Sequence, residues 1–207
     1  MMMVAAHEGR DVATCDVPGA YLHADMPDFV IMKFEGHVVD VLIQIDKNYE
    51  NFVVIENGKR VIYVRLLKAL YGCVKAALLW YELFSSTLVH MGFLLNPYDP
   101  CIANKMIKEK QCTIGWHVDD FMLTHDDTEV VSEVIRDINE NFGPLSVVRG
   151  RKHTFLGMDI EFYENGTFSI SMQDYLQEAI DDFGEDLRFT VKSAATKPIQ
   201  CRQQQTC

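Results

Sequence analysis

Hydrophobic and polar residues alternate, or β-branched and aromatic residues cluster, in several short stretches of the chain, a pattern typical of β-strands. Two pairs of these stretches are joined by short polar turns, one containing Asn57 and Gly58 and the other residues 164–166, and each pair is predicted to form a β-hairpin. In residues 155–162, apolar side chains recur at every second position from Leu156 to Phe162. The predicted strands are Val12–Val17, Phe52–Glu56, Val61–Leu66, Thr113–Val118, Phe121–Thr124, 155–162 and 167–172.

Apolar residues spaced three and four positions apart predict amphipathic helices over 76–91 and 130–142, and a third helix over Asp174–Phe183. Asp126, Asp127 and Thr128 precede the second helix, and any of them can cap its first amides. Hairpins that alternate with helices predict an α+β fold, with a mainly antiparallel sheet and helices packed on one face. Residues 186–207 follow neither period and are predicted to be a disordered tail.

The composition is that of a globular protein. The chain has 207 residues, 48% of them hydrophobic, enough for one large domain or a domain with part of a second. No stretch reaches the roughly 18 apolar residues of a membrane span, and the N-terminus lacks the apolar segment of a signal peptide. We therefore expect an intracellular, cytoplasmic protein without a membrane segment. The six cysteines form no CxxC pair, which predicts reduced thiols and no zinc knuckle.

The net charge of −11 is unusual for a protein that binds nucleic acid, because phosphate backbones are bound chiefly by lysine and arginine. The charge is, however, segregated along the chain. Residues 61–110 carry six basic and three acidic side chains, whereas residues 111–148 carry one basic and eight acidic. Acidic residues around a metal site are compatible with a magnesium-dependent enzyme, since the ions invert the local electrostatics. For most of these acids a solvated helix surface is the simpler explanation.

Three pairs of adjacent aspartates occur in the chain, at 119–120, 126–127 and 181–182. The second and third pairs lie at predicted helix boundaries or on polar helix faces, where capping and solvation account for them. Asp119 and Asp120 instead separate two short apolar runs and are expected at the turn of a tight β-hairpin. Adjacent carboxylates at a sheet end repel each other, and a divalent cation removes that repulsion.

Asp16 lies at the end of another predicted strand, Val12–Val17, and precedes a turn at Pro18 and Gly19. If that strand lies beside the hairpin, Asp16 and Asp119 can bridge two magnesium ions while Asp120 completes the cluster, an arrangement suited to nucleotidyl transfer. By spacing alone, the simpler explanation is a turn residue, because most aspartates at strand ends are only that.

Three segments resemble the palm motifs of copia-type retrotransposon reverse transcriptases, in the family's order and at similar separations. They are CDVPGAYLHADM, KALYGCVKAALLWYELF and WHVDD. Two later segments, FLGMDIEF and ISMQDYL, resemble the family's downstream palm segments. Because several motifs in series are far more specific than any one of them, the chain is identified as similar to this family from roughly His7 to Phe183.

The resemblance implies an RNA-directed DNA polymerase with Asp16, Asp119 and Asp120 as catalytic, metal-binding residues and with two Mg²⁺ ions, or Mn²⁺ in their place. It also implies that Tyr21 screens the sugar 2′-hydroxyl of the incoming nucleotide and that Gly72 allows close approach of template and nucleotide. The alternatives are a core tyrosine and an ordinary turn glycine. Trp80 and Phe84, on the apolar face of the first predicted helix, are expected in the core.

The chain departs from the family pattern at several positions. His117 stands where Tyr is commonest, near the expected primer terminus, and can donate to a phosphate. The second motif reads CVKAAL over 73–78, where the family usually has Leu-Lys-Gln-Ala-Pro-Arg. Few residues precede Asp16, so the resemblance implies a truncated reverse transcriptase over residues 1–185, with the palm, a remnant of the fingers and the start of the thumb.

Three functional hypotheses follow. The first is a polymerase that binds an RNA or DNA template with its primer and a dNTP, together with other parts of the element polyprotein or within virus-like particles. The second is a catalytically inactive remnant or interaction module that keeps the palm fold. The third is a non-catalytic RNA-binding sheet, which the acidic charge disfavours.

Overall fold

A computed structural model describes residues 1–183. It contains two compact units, one spanning Met1–Ser171 and one beginning at Met172. The described helices are α1 (Met2–Glu8), α2 (His37–Ile45), α3 (Ala76–His90), α4 (Thr128–Phe142) and α5 (Gln173–Phe183), with 3-10 helices at Ala20–His23 and Lys47–Phe52. The described strands are β1 (Asp11–Asp16), β2 (Ile31–Glu35), β3 (Val54–Glu56), β4 (Lys59–Arg65), β5 (Leu94–Leu95), β6 (Ile102–Ile107), β7 (Lys110–His117), β8 (Asp120–His125), β9 (Ser146–Arg149), β10 (Lys152–Phe155), β11 (Met158–Phe162) and β12 (Phe168–Ser171).

A six-stranded sheet in the order β5-β6-β7-β8-β1-β9 forms the centre of the first unit, and its neighbouring strands all pair antiparallel. Helices α3 and α4 pack on one face of this sheet. Trp80 and Phe84 of α3, and Val131 and Ile138 of α4, are buried there against apolar residues of β1, β7 and β8. The predicted α+β fold and the predicted core positions of Trp80 and Phe84 are confirmed.

The opposite face of the central sheet is covered at one end by a second sheet and by α1. In this second sheet, β11 lies between β10 and β12. Val12 and Met122 of the central sheet are buried against Ala5 of α1 and against Phe155 and Ile160 of the second sheet. Helix α1 was not predicted, because a helix of seven residues is too short to show a helical period.

A third sheet, in the order β2-β4-β3, contains the predicted hairpin β3–β4. Ion pairs tie its surface together: Lys33 lies 2.9 Å from Glu56, and Arg60 of β4 lies 2.7 Å from Asp40 of α2. Exposed pairs of this kind contribute about 1 kcal/mol at most.

The structure confirms most predicted elements and corrects one. Asp127 caps α4, since its Oδ1 accepts a hydrogen bond from the amide of Glu129 at 2.9 Å. The single strand predicted over 155–162 was wrong: Leu156, with φ at +54°, and Gly157 form a turn that separates β10 from β11. The helix predicted over Asp174–Phe183 is α5. The predicted boundary at residue 185 and the predicted tail over 186–207 lie outside the described residues.

The described residues bear on two expectations from composition, which concern the cysteines and membrane-spanning helices. Cys15, Cys73, Cys101 and Cys112 are free thiols. No helix within residues 1–183 is both long and apolar enough to cross a bilayer.

Helix α4 offers a test of this packing. Ile138 is fully buried beneath the central sheet, whereas Glu140, two residues later, is exposed. We expect I138A to lower the free energy of unfolding by about 2–5 kcal/mol, because it leaves a cavity. E140A should change it by less than about 0.5 kcal/mol. Urea unfolding followed by circular dichroism measures both, and equal effects of the two variants would contradict the described burial.

Candidate functional site

A row of polar residues crosses the central sheet at one end. In the antiparallel pairing, Asp16 of β1 is directly opposite Asp120 of β8 on one side and Ser146 of β9 on the other. Asp120 is in turn opposite His117 of β7. Directly opposed residues in an antiparallel sheet share a face, with Cα atoms about 4.5–5.5 Å apart. The register therefore brings Asp16, Asp120 and His117 together, although they are far apart in sequence.

The alternation of side chains along each strand decides which face this row occupies. Cys15 and Phe121 are paired with each other and are buried in the core beneath α3 and α4. Because successive side chains in a strand point to opposite faces, Asp16 and Asp120 lie on the face away from those helices. Both are partly exposed.

Asp119 lies next to this row, in the two-residue connection between β7 and β8. This confirms that Asp119 and Asp120 lie at or near the turn of a tight hairpin, with Asp119 in the turn and Asp120 as the first residue of β8. The backbone carbonyl of Asp119 accepts a hydrogen bond from the amide of Val17 at 3.0 Å, which ties the turn to the end of β1. The carboxylate Oδ2 of Asp119 accepts a second hydrogen bond, at 2.9 Å, from the hydroxyl of Tyr71.

The three acidic side chains interact electrostatically. Burial raises the pKa of Asp16, and repulsion from Asp119 raises it further. The pKa of Asp120 is also raised, chiefly by burial and then by Asp119 and Asp16, while His117 opposes the change. Since a raised acid pKa reflects an unfavourable carboxylate, these groups are held together at an energetic cost.

Tyr21 and Gly72 lie next to Tyr71, the residue that donates to Asp119, on two neighbouring segments. Tyr21 belongs to the 3-10 helix that follows β1, and its ring centroid is 4.2 Å from that of Tyr71. Gly72 has φ at +94°, and a Cβ added there would have no heavy atom within 4 Å. Backbone pairing between residues 24–26 and 67–69 holds the two segments side by side. The roles expected for Tyr21 and Gly72 stay predictions, as does that of the exposed His117.

Sequence reasoning missed two residues of this site. Tyr71 directly precedes Gly72 in the second motif, so its position beside a predicted site residue was the available signal. Partial burial and the hydrogen bond to Asp119 raise the pKa of the Tyr71 phenol to about 12, so it remains a proton donor at neutral pH. Ser146 carries no such signal, because only the strand register places it opposite Asp16.

The donor chemistry of the site suits a hard divalent cation, since Mg²⁺ prefers carboxylate oxygens. In residues 1–183, however, no group of three or more His, Cys, Asp or Glu side chains forms a ready-made metal-binding set. The repulsion among the three acids and the hydrogen bond between Tyr71 and Asp119 are physical reasons for the carboxylates to be close together without converging. Asp16, Asp119 and Asp120 therefore remain predicted ligands.

Comparisons with known proteins agree with the resemblance seen in the three motifs. The sequence model of the family described as "Reverse transcriptase (RNA-dependent DNA polymerase)" matches residues 1–200. A retrovirus-related Pol polyprotein from transposon TNT 1-94 of Nicotiana tabacum is 25% identical over 201 residues, which are 96% of this chain and 13% of that protein. A putative transposon Ty5-1 protein of Saccharomyces cerevisiae is 25% identical over 117 residues, 56% of this chain and 37% of that protein.

Among solved structures, apo telomerase from Candida tropicalis, truncated from its C-terminal domain, is similar with a TM-score of 0.43 and 14% identity, covering 78% of this chain and 35% of that chain. The chain thus spans well under half the length of the two transposon relatives. The family match extends over nearly the whole chain and includes all three predicted motifs. The chain belongs to the reverse transcriptase (RNA-dependent DNA polymerase) family.

Proposed function

We propose that this chain forms the nucleotidyl-transfer centre of a copia-type retrotransposon reverse transcriptase, which extends a primer with dNTPs on an RNA or DNA template. Asp16, Asp119 and Asp120 would hold two Mg²⁺ ions, with Mn²⁺ as a substitute. The observation that carries the proposal is the strand register, which places Asp16 opposite Asp120 and beside Asp119.

The electrostatics of the three acids support a cation at this position. Burial, and then repulsion between the acids, raises the pKa of Asp16 and Asp120. In the described residues, no basic side chain forms an ion pair with either carboxylate. Several other acids in the first unit differ in this respect: Asp40, Asp127 and Glu56, for example, lie within 3 Å of a lysine or arginine nitrogen. A cluster of carboxylates without such a partner is suited to bind a divalent ion.

Two bound ions would supply activation of the primer 3′-hydroxyl and stabilisation of charge on the leaving pyrophosphate. The chain's own residues would position the reactants. Tyr21 would exclude a 2′-hydroxyl by occupying its space. Gly72, which has no side chain, would allow the template and nucleotide to approach its backbone closely. His117, exposed and opposite Asp120, can donate to a primer phosphate. Tyr71 donates to Asp119 and thereby orients its carboxylate.

The proposed partners are the template–primer, a dNTP and the remaining parts of an element polyprotein. Because the chain covers 13% of the tobacco relative and 37% of the yeast relative, the activity of the whole protein is part of the proposal. The alternative, an inactive palm or interaction module, predicts the same fold without Asp119-dependent chemistry.

Primer extension on a homopolymeric RNA template with Mg²⁺ or Mn²⁺ tests the activity. We expect D119N to reduce incorporation by at least about 100-fold, because removing a charged group aimed at the reacting centre has effects of this size. D182N, in another pair of adjacent aspartates, is the control and should retain the parent activity. Equal background incorporation by the parent chain and D119N would support the inactive alternative.

The raised pKa of Asp120 predicts how stability depends on pH without metal. A raised folded-state pKa means that ionisation of Asp120 destabilises the fold as pH rises. In EDTA we expect D120N to be more stable than the parent chain at pH 7, by about 0.5–1 kcal/mol for the loss of one close repulsion in a partly solvated site. The difference should disappear toward pH 3, where the parent carboxyl is neutral.

Chemical unfolding at several pH values measures this difference. D137N, on the exposed face of α4, is the control and should stay within about 0.5 kcal/mol of the parent at every pH. A D120N variant that is less stable at pH 7, or a gain that persists unchanged at pH 3, would show that the acids do not repel each other as described.

Tyr71 should affect cation binding. Loss of an outer hydrogen-bond partner typically weakens metal binding about tenfold or more, so we expect Y71F to raise the Kd for Mn²⁺ by about that factor. Y63F is a matched control, since Tyr63 also donates to a carboxylate, that of Glu56 at 2.6 Å, in the third sheet. Electron paramagnetic resonance of free Mn²⁺ gives both affinities. Equal Kd values for Y71F and Y63F would rule out the orienting role.

A further inference from the structure

The turn that carries Asp119 contains a backbone conformation that is unfavourable for its residue. Val118, the first of the two turn residues between β7 and β8, has φ at +54°. Glycine adopts this region freely, whereas a β-branched side chain is a genuine outlier there. Among the non-glycine residues with positive φ in residues 1–183, Val118 is the β-branched one. Such a conformation persists only when surrounding contacts hold it.

Trp80 supplies such a contact. Its indole Nε1 donates to the backbone carbonyl of Val118 at 2.5 Å, across 38 positions of sequence. Trp80 is 1% exposed, so water competes little for this donor. This hydrogen bond is costly to lose, because the buried indole N–H would remain without a partner.

The indole ring is itself held in place. Its centroid lies 5.3 Å from the ring of Phe84 in a stacked arrangement and 5.1 Å from that of Phe142 in an edge arrangement. Phe84 is one turn further along α3, and Phe142 is the last residue of α4. Both helices that pack on the central sheet therefore fix the direction in which the indole N–H points.

We propose that Trp80 is a positioning residue for the acidic site: its indole N–H holds the carbonyl of Val118 and thereby keeps the strained turn in the form that places Asp119 and Asp120 beside Asp16. The proposal deepens the proposed function, since it rests on these acids being the reactive site. It assigns Trp80 a directional role beyond the core packing expected from its place on the apolar face of α3.

The role predicts a local effect that loss of packing would not produce. W80F keeps an aromatic ring in the core but removes the N–H donor together with part of the indole ring, so the control must lose the same ring volume. The amide of Val17, which donates to the carbonyl of Asp119, reports on the turn without any metal. The amide of Ile114, in the middle of β7, reports on the core of the sheet. The control is W116F, which changes the chain's other tryptophan, also buried in this core.

Hydrogen–deuterium exchange followed by NMR measures both amides in the full chain. In W80F we expect exchange at Val17 to accelerate about five- to tenfold more than at Ile114, the factor that corresponds to one hydrogen bond. In W116F the two rates should change together. If the two rates also rise in step in W80F, Trp80 is a core residue only and the proposal is wrong.

The strain at Val118 provides a second, independent readout. V118G accepts a positive φ without strain, so the turn in this background depends less on Trp80. W80F should accelerate exchange at Val17, relative to Ile114, at least about threefold less in the V118G background than in the parent chain. Residues that are coupled show such a non-additive effect. An undiminished effect of W80F in that background would overturn the link between the hydrogen bond and the strained turn.

Mn²⁺ binding separates this inference from the proposed function. W80F should raise the Kd for Mn²⁺ about tenfold, as expected for a displaced ligand set. If the parent chain shows no Asp119-dependent Mn²⁺ binding, the proposed metal site fails, while the exchange rates at Val17 still decide the role of Trp80. If Mn²⁺ binds through Asp119 with equal Kd in the parent and W80F, the positioning role fails and the metal site stands.

Discussion

The antiparallel pairing of β1 with β8 is the constraint on which the site depends. It places Asp16 opposite Asp120, and the connection that begins β8 brings Asp119 beside them. A slip of one residue would turn Asp16 toward the buried core and Cys15 toward solvent. The apolar side chains beneath α3 and α4 prevent that slip, because Cys15 and Phe121 belong to that core. The hydrophobic effect thus sets the geometry of three acidic groups that would otherwise separate.

The same end of the sheet contains several energetically unfavourable features. Asp16 and Asp120 have raised pKa values, and Val118 has a positive φ. Local conflicts of this kind are expected where a fold serves a site and not stability alone. Hydrogen bonds from Tyr71 to the carboxylate of Asp119 and from Trp80 to the carbonyl of Val118 hold the arrangement from two directions. Both donors come from one stretch of sequence, the second of the three motifs.

Periodicity predicted the long elements well, since α3 and α4 carry continuous apolar faces and the hairpins carry clear turn residues. It missed α1 and α2, whose short apolar runs fit a strand or a helix equally well. Serial motifs singled out Asp16, Asp119 and Asp120, but not the register that joins them. Ser146 and the donor role of Trp80 depend on contacts between distant segments. The positive φ of Val118 could not be predicted from the sequence either, because valine at a turn gives no signal for such a conformation.

The central claim is that the three carboxylates at the end of β1 and β8 form one divalent-cation site. The most direct measurement is anomalous X-ray diffraction from crystals of the chain soaked in Mn²⁺. The account predicts anomalous peaks in contact with the carboxylates of Asp16 and Asp119, with Asp120 adjacent. Well-occupied Mn²⁺ elsewhere on the chain, with no peak at these residues, would contradict it.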